Sequence, residues 1–129
     1  MENLNILFVE DDSLNQFLFQ KLLKDQNFTY EIADDGKVAI EMLQSKVFHI
    51  VFMDINMPVM DGYTATKYIR ANLAEPIKSI PIIAMTASDE EDEVEKYKRA
   101  GMNDYISKPF EMKDLWKKIE TFVYKKVKV

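Results

Sequence analysis

Apolar residues occur in short dense runs, separated by longer stretches in which apolar and polar residues recur at helical spacing. The short runs are rich in aromatic and β-branched residues, which is typical of strands buried on both faces of a parallel sheet. The predicted strands are Leu4–Val9, Phe28–Ala33, Phe48–Met53, Ile80–Met85 and Asp104–Ser107. The third run ends directly at a single carboxylate, Asp54, at the rim of the predicted core, where an unpaired charge is costly.

The stretches between the strands predict helices. The first helix carries apolar residues at helical spacing, Leu14, Phe17, Leu18 and Leu22, and Phe19 and Leu23 widen its apolar arc. Asp12 or Ser13 is suited to cap this helix, and Ser88 with Glu91 forms a capping-box pattern before the fourth. Strands alternating with helices predict an α/β fold, a doubly wound (βα)5 unit whose five-stranded parallel sheet is covered on both faces.

Composition narrows the class of protein. The chain has 129 residues, which fits one domain, residues 1–129. Its net charge of −5 leaves no basic face for nucleic acid, and it has no Cys for a disulfide or a thiolate metal site. The only His, His49, excludes a multi-histidine metal site. Because no apolar stretch reaches transmembrane length and no secretory signal opens the chain, we expect a cytoplasmic protein.

Polar residues collect at the carboxyl ends of the predicted strands, where open parallel sheets bind their ligands. They are Glu10 and Asp11 after the first strand, Asp54 after the third, Thr86 after the fourth and Lys108 after the fifth. Each alone is typical of a helix cap or a turn. Their joint occurrence at successive strand ends favours a functional cleft.

Such a cleft has a distinctive charge balance. Two carboxylates about 5 Å apart repel by roughly 3 kcal/mol at an effective dielectric near 20. Lys108 offsets only part of the repulsion among three acids, and a hard divalent cation such as Mg²⁺ offsets the rest. The absence of softer ligands argues against Zn²⁺ and Cu²⁺. With Mg²⁺ bound, a phosphoryl group could approach a carboxylate, and Lys108 and Thr86 could hold its other oxygens.

Four segments together carry a resemblance to one family. They are Ile6–Asp12 with its acidic pair, Asp54–Gly62 around the candidate acceptor, Pro81–Ala87 with its threonine, and Gly101–Phe110 with Lys108–Pro109. The chain resembles a response-regulator receiver domain of two-component signalling over nearly its whole length. The resemblance implies a flavodoxin-like fold with strand order 2-1-3-4-5.

The resemblance also implies roles for the acidic residues. Asp54 would be the nucleophile that takes a phosphoryl group from a phosphohistidine. Asp11, Asp54 and the backbone carbonyl of Asn56 would bind Mg²⁺, and Glu10 would act through water. Lys108 would pair with Asp54 and then with the phosphoryl group.

A conformational switch and two partners follow from the same resemblance. Thr86 would move to the phosphoryl group and Tyr105 would turn inward with it, and the Lys108–Pro109 bond is expected to be cis. The phosphodonor would be a histidine kinase or a histidine phosphotransfer protein. The output would be read from the fourth helix, fifth strand and fifth helix. Such a domain catalyses only its own phosphorylation and dephosphorylation.

Two finer expectations concern docking and lifetime. Phe17, Phe19 and Leu23 give the first helix more apolar surface than one core face needs, which favours docking of the phosphodonor there. The small Ala87 and the short side chain of Asn56 leave room for an attacking water, which favours a short-lived phosphorylated form.

Three other classes of protein share part of this pattern. An aspartyl-phosphate hydrolase places a second Asp two residues after its nucleophile, where this chain has Asn56. A flavin-binding domain needs a first loop that cradles phosphate, whereas Glu10-Asp11-Asp12 would repel it. A receiver-shaped module that no longer accepts phosphate is disfavoured because every chemical residue of the pattern is present.

Overall fold

Strands and helices alternate from one end of the described chain to the other. The computed structural model describes residues 4–57, 59–87 and 91–125, and their side chains except those of 91–93. The strands are β1 (Asn5–Val9), β2 (Thr29–Ala33), β3 (Ile50–Asp54), β4 (Ile82–Thr86) and β5 (Asp104–Ser107). The helices are α1 (Ser13–Leu22), α2 (Gly36–Ser45), α3 (Gly62–Asn72), α4 (Glu91–Ala100) and α5 (Met112–Ile119). A short 3₁₀ helix (Ile77–Ser79) precedes β4, and a π-helical segment (Glu120–Tyr124) continues α5.

The five strands form one parallel sheet in the order β2-β1-β3-β4-β5. This confirms the doubly wound, flavodoxin-like fold, and each strand begins and ends within two residues of its predicted limits. The strand order reverses between β1 and β3, so a crevice opens outside their carboxyl ends.

Two apolar cores lie on opposite faces of the sheet because side chains alternate along each strand. Leu7 and Val51 face the core that α2, α3 and α4 cover. Their neighbours Phe8 and Phe52 face the core that α1 and α5 cover, where the two rings stack with centroids 5.4 Å apart. The central strands are therefore apolar on both faces, as their dense sequence runs predicted.

Two of the three residues predicted as extra apolar surface on α1, Phe19 and Leu23, belong to the core. Leu14, Phe17 and Leu18 are 63%, 51% and 51% exposed, whereas Phe19 and Leu23 are buried. Phe19 packs on Phe8 of β1, with ring centroids 5.3 Å apart. The apolar arc of this helix is wider than the face that meets the sheet, so spacing alone does not tell which part of the arc is buried.

Side-chain caps set where the helices begin. Of the two candidates before α1, Asp12 is the cap, and its Oδ1 accepts from Leu14 N at 2.8 Å. Asp35 and Asp61 cap α2 and α3 in the same way. Gly101 follows α4 with a φ of +103°, the conformation that favours glycine at a helix end. Ser88 of the predicted capping box and Pro58 of the acceptor segment lie outside the described residues, as does the side chain of Glu91.

Candidate functional site

The strand register brings the predicted acidic residues together. Val9 of β1 lies opposite Met53 of β3, so the next residues, Glu10 and Asp54, reach the same edge of the sheet. One carboxylate oxygen from each of Glu10, Asp11 and Asp54 lies within 4.8 Å of the other two. Glu10 and Asp54 are buried, at 1% and 6% exposure, and Asp11 is exposed.

Lys108 reaches this acidic cluster from the loop after β5. Its Nζ lies 2.9 Å from Glu10 Oε1 and 3.3 Å from Asp54 Oδ2. Its backbone N–H donates to Thr86 O at 2.7 Å, and its bond to Pro109 is cis, as the resemblance implied. The ammonium is therefore shared between two buried carboxylates, with the shorter contact to Glu10.

Burial and charge shift the pKa values of this pair. Burial raises the pKa of the Glu10 carboxyl above its ordinary value, and the charge of Asp54 adds to the effect against the opposing hydrogen bond from Lys108. Burial by itself lowers the pKa of Lys108. The hydrogen bond to Glu10 and the charges of Asp54 and Glu10 outweigh burial, so the pKa of Lys108 lies above its ordinary value.

The loop after β3 is held tightly against Asp54. Asn56 N donates to Asp54 Oδ1 at 3.1 Å, and Gly62 N donates to Ile55 O at 3.3 Å. A Cβ at Gly62 would collide with the backbone carbonyl oxygen of Asp54. The sequence pattern does not show this requirement for glycine at position 62, which there is only the last residue of the Asp54–Gly62 segment.

Thr86 and Tyr105 lie on the neighbouring strands β4 and β5. Thr86 is buried at the end of β4, opposite Ser107, and Tyr105 is half-buried two residues before Ser107. The Tyr105 ring lies 5.4 Å from the ring of Tyr97 in α4. Tyr97 was missed by the sequence analysis, although Val94 and Tyr97 recur at helical spacing.

The chain matches the family model "Response regulator receiver domain" over residues 6–120. It belongs to the response regulator receiver family. A similar relative is hybrid signal transduction histidine kinase B of Dictyostelium discoideum, 37% identical over 119 residues. That match covers 85% of this chain but 6% of the kinase, so the chain spans a small part of such relatives.

Two solved structures extend the comparison of this receiver domain. One is the receiver domain of a Pseudomonas aeruginosa sensor histidine kinase, which has a magnesium ion coordinated in its active-site cleft. Its match with this chain has a TM-score of 0.84 and 34% identity, and it covers 95% of this chain and 98% of that one. The second is the co-crystal structure of the Saccharomyces cerevisiae histidine phosphotransfer protein Ypd1 and the receiver domain of Ssk1. This match has a TM-score of 0.85 and 29% identity, and it covers 98% of this chain and 93% of that one.

The donor atoms of the receiver's acidic cluster suit a hard divalent cation. Carboxylate oxygens and a nearby backbone carbonyl are the ligands that Mg²⁺ prefers. The chain has no Cys, and His49 lies near the start of β3, where its Nδ1 accepts from Asn5 N at 3.0 Å. None of the helices in the described ranges is long and apolar enough to cross a membrane.

Proposed function

We propose that this receiver domain accepts a phosphoryl group from a phosphohistidine on Asp54. The observation that carries the proposal is the buried Asp54 carboxylate, which lies 3.3 Å from Lys108 Nζ. The same carboxylate has the oxygens of Glu10 and Asp11 within 4.8 Å. The carboxyl end of β3 thereby combines three features. They are a nucleophile, a positive charge for the incoming phosphoryl group, and oxygen ligands for a metal ion.

In the transfer, a carboxylate oxygen of Asp54 forms a bond to phosphorus while the bond from phosphorus to the donor histidine nitrogen breaks. The electron pair of the broken bond stays on the imidazole, which leaves neutral because its other nitrogen carries a proton. Lys108 would then pair with the phosphoryl oxygens. Its raised pKa keeps this side chain charged at neutral pH.

Mg²⁺ is the cation we propose for the acidic cluster. Asp11, Asp54 and the backbone carbonyl of Asn56 would hold it, and Glu10 would act through a water molecule. Bound there, the ion would neutralise carboxylate charge and polarise a phosphoryl oxygen. Without it, Lys108 is the one cation in the described part of the chain that forms an ion pair with this cluster of three negative charges.

We further propose that phosphorylation is transmitted through Thr86 and Tyr105. Thr86 would move its hydroxyl to the phosphoryl group, and Tyr105 on the adjacent strand would turn inward. The contact of the Tyr105 ring with Tyr97 supports this path, since a change in one ring alters the packing of α4. The output partner would therefore read the surface of α4, β5 and α5.

The phosphorylated form would be short-lived, and the domain would catalyse only its own phosphorylation and dephosphorylation. Ala87 and Asn56 are both exposed beside the site, and neither is bulky enough to exclude an attacking water. We include in the proposal that residues 1–129 form one receiver domain, which contacts neither nucleic acid nor membrane directly. The cytoplasmic location expected from the sequence stays a prediction.

The phosphodonor, a histidine kinase or a histidine phosphotransfer protein, is proposed to dock on α1. The apolar side chains exposed there are Leu14, Phe17 and Leu18. The docking surface predicted from the sequence was Phe17, Phe19 and Leu23, but Phe19 and Leu23 belong to the core. A cleft of about 630 Å³ continues this surface between α1 and the loop that carries Lys108. The Ssk1 receiver, crystallised with a histidine phosphotransfer protein, supports a partner of this class.

Intact-mass spectrometry after incubation with acetyl phosphate and Mg²⁺ tests the acceptor. We expect the parent to gain one phosphoryl group, and EDTA or Asp54→Ala to abolish the gain. Labelling that persists in Asp54→Ala would identify a different acceptor. A parent that takes up no phosphoryl group from acetyl phosphate or from a phosphohistidine donor would contradict the proposed function.

A pair of phenylalanine variants tests the docking surface. Phe17→Ser removes an exposed ring, so it should slow transfer from phosphorylated Ypd1 while sparing labelling by acetyl phosphate. Phe19→Ser removes a ring packed between those of Phe8 and Phe110. It should therefore lower stability by about 3–5 kcal/mol and impair both reactions. Equal transfer rates in the parent and in Phe17→Ser would exclude this face as the donor surface.

A further inference from the structure

Gln16 connects the acidic loop to the rest of the sheet edge. It lies in the first turn of α1, and its Nε2 donates to the backbone carbonyl of Glu10 at 2.6 Å and to Asp34 Oδ1 at 2.8 Å. A side-chain amide has two N–H donors on this atom, so both are used. The amide thereby joins the loop after β1 to the turn after β2.

The carbonyl that Gln16 holds belongs to the peptide linking Glu10 to Asp11. The sheet does not orient this peptide, since β1 ends at Val9 and the last ladder bond nearby is Glu10 N to Ala33 O at 3.0 Å. The Glu10 side chain is fixed separately, by Lys108 on one oxygen and the backbone N–H of Asp12 on the other. Gln16 is therefore what fixes the main chain between the two acids.

Asp11 depends on this main-chain anchor more than the other acids do. It is exposed, and within the described part of the chain no group donates a hydrogen bond to its carboxylate. Glu10 and Asp54, by contrast, are each held by Lys108 and by a backbone N–H. The direction of the Asp11 side chain consequently follows from the peptide plane that Gln16 holds.

We propose that Gln16 is a positioning residue for the metal-binding edge of the site. It orients Asp11 toward Asp54 for a divalent cation and touches neither the cation nor the phosphoryl group. The inference rests on the proposed function, because it assigns a role in binding the cation that the acceptor chemistry uses. The bond to Asp34 completes the anchor, since it holds the amide from the opposite side.

Binding of Mg²⁺ alone, measured by isothermal titration calorimetry, tests the inference without any phosphoryl transfer. Gln16→Ala removes both donors and should weaken Mg²⁺ binding about tenfold, the range found when partners behind metal ligands are lost. Gln16→Arg supplies other N–H donors at the same position and should bind close to the parent. Gln20→Ala is the matched control, because Gln20 is exposed on the same helix, and it should leave the affinity unchanged.

Thermal melts in EDTA separate this role from a purely structural one. If Gln16→Ala melts lower than Gln20→Ala yet binds Mg²⁺ equally well, the amide is only a link between two loops and the inference is wrong. Binding by Gln16→Arg as weak as by Gln16→Ala would also overturn it, since the donated hydrogen bonds would then not matter. A parent that binds no Mg²⁺ would instead overturn the proposed function, and this inference with it.

Discussion

Replacing the central carboxylate with its neutral amide is expected to stabilise the domain in metal-free buffer. Asp54→Asn keeps the shape of the side chain and an oxygen that can accept from Asn56 N. It removes one negative charge from a site in which, among the described residues, three acids face one ammonium group, that of Lys108. The substitution also removes a favourable interaction, the contact of Asp54 with Lys108. The free energy of unfolding could therefore rise or fall, and its sign tests the argument.

The magnitude follows from the distances. Repulsion of Asp54 by Glu10 across at most 4.8 Å is roughly 3 kcal/mol at an effective dielectric near 20. Repulsion by the exposed Asp11 is screened to about half of that or less. Attraction to Lys108 at 3.3 Å is about 5 kcal/mol on the same scale. These contributions nearly cancel.

Desolvation therefore decides the sign. Asp54 is 6% exposed, and a buried carboxylate costs several kcal/mol more than an amide of the same shape. Lys108 keeps its 2.9 Å contact with Glu10 after the substitution, so no charge is left without a partner. The net expectation is a gain on the order of 1–3 kcal/mol. For a chain of this size, that corresponds to roughly 3–10 °C in melting temperature.

Circular-dichroism melts of parent and variant, in EDTA and in excess Mg²⁺, measure this effect. Mg²⁺ should stabilise the parent by RT ln(1 + [L]/Kd), about 2.7 kcal/mol at 100 times Kd. Mg²⁺ should stabilise Asp54→Asn less than the parent, because this variant lacks one of the carboxylates proposed to bind the ion. Asp25→Asn serves as the control: it removes an exposed acid outside the cluster and should change stability by no more than about 0.5 kcal/mol. A variant that melts below the parent in EDTA would refute the charge balance argued here.

Three further predictions concern Val59 in the loop after β3, the buried acid Glu10 and the hydrogen bonds of Arg70. Val59 has a φ of +68° and is 83% exposed. In a denaturant titration, Val59→Gly should therefore relieve backbone strain and raise the free energy of unfolding by about 0.5–2 kcal/mol. Val47→Gly, at another exposed valine, should lower the free energy of unfolding in the same titration. Because the pKa of Glu10 is raised on folding, its contribution to stability is present below the ordinary value of 4.5 and is lost as pH rises through the folded-state pKa. In EDTA, the melting temperature of Glu10→Gln relative to the parent should therefore increase as the pH rises above 4.5, and a difference that does not change with pH would contradict the shift. Arg70 donates four hydrogen bonds that join α3 to the loops before β4 and β5. In chemical denaturation, both Arg70→Met and Arg70→Lys should therefore lower the free energy of unfolding by about 2–4 kcal/mol. If Arg70→Lys is as stable as the parent, only the charge of this side chain matters.

The strand ends of the site were predictable because the parallel sheet itself aligns them. Once β1 and β3 are neighbours, a carboxylate after one must lie near a carboxylate at the end of the other. The dense apolar runs identified both strands, and so Glu10 and Asp54 could be paired from the sequence. The same reasoning brought Thr86 and Lys108 to this edge, where the backbone of one bonds to the other.

The helix faces were less predictable because their apolar arcs exceed the surface that the sheet covers. The sequence offers six apolar positions, five in α1 and the sixth at its C-cap Leu23. Burial is decided by how the helix is anchored rather than by spacing. Asp12 fixes the start of the helix and Gln16 ties its first turn to Glu10. That orientation turns Phe19 toward Phe8 and leaves Phe17 at the surface. Neither hydrogen bond has a periodic signal in the sequence.

The sharing of Lys108 between two carboxylates would change how the charges of the site respond to the proposed phosphorylation. The resemblance implied a pair with Asp54, but the shorter contact is with Glu10. If Lys108 moves to the phosphoryl oxygens, Glu10 loses its cationic partner while it stays buried. The burial that already raises the pKa of Glu10 then acts without the opposing hydrogen bond. A bound divalent cation, reached through water, would replace that partner. Glu10 would then link the proposed metal binding to the proposed movement of Lys108 without being a direct ligand of the phosphoryl group.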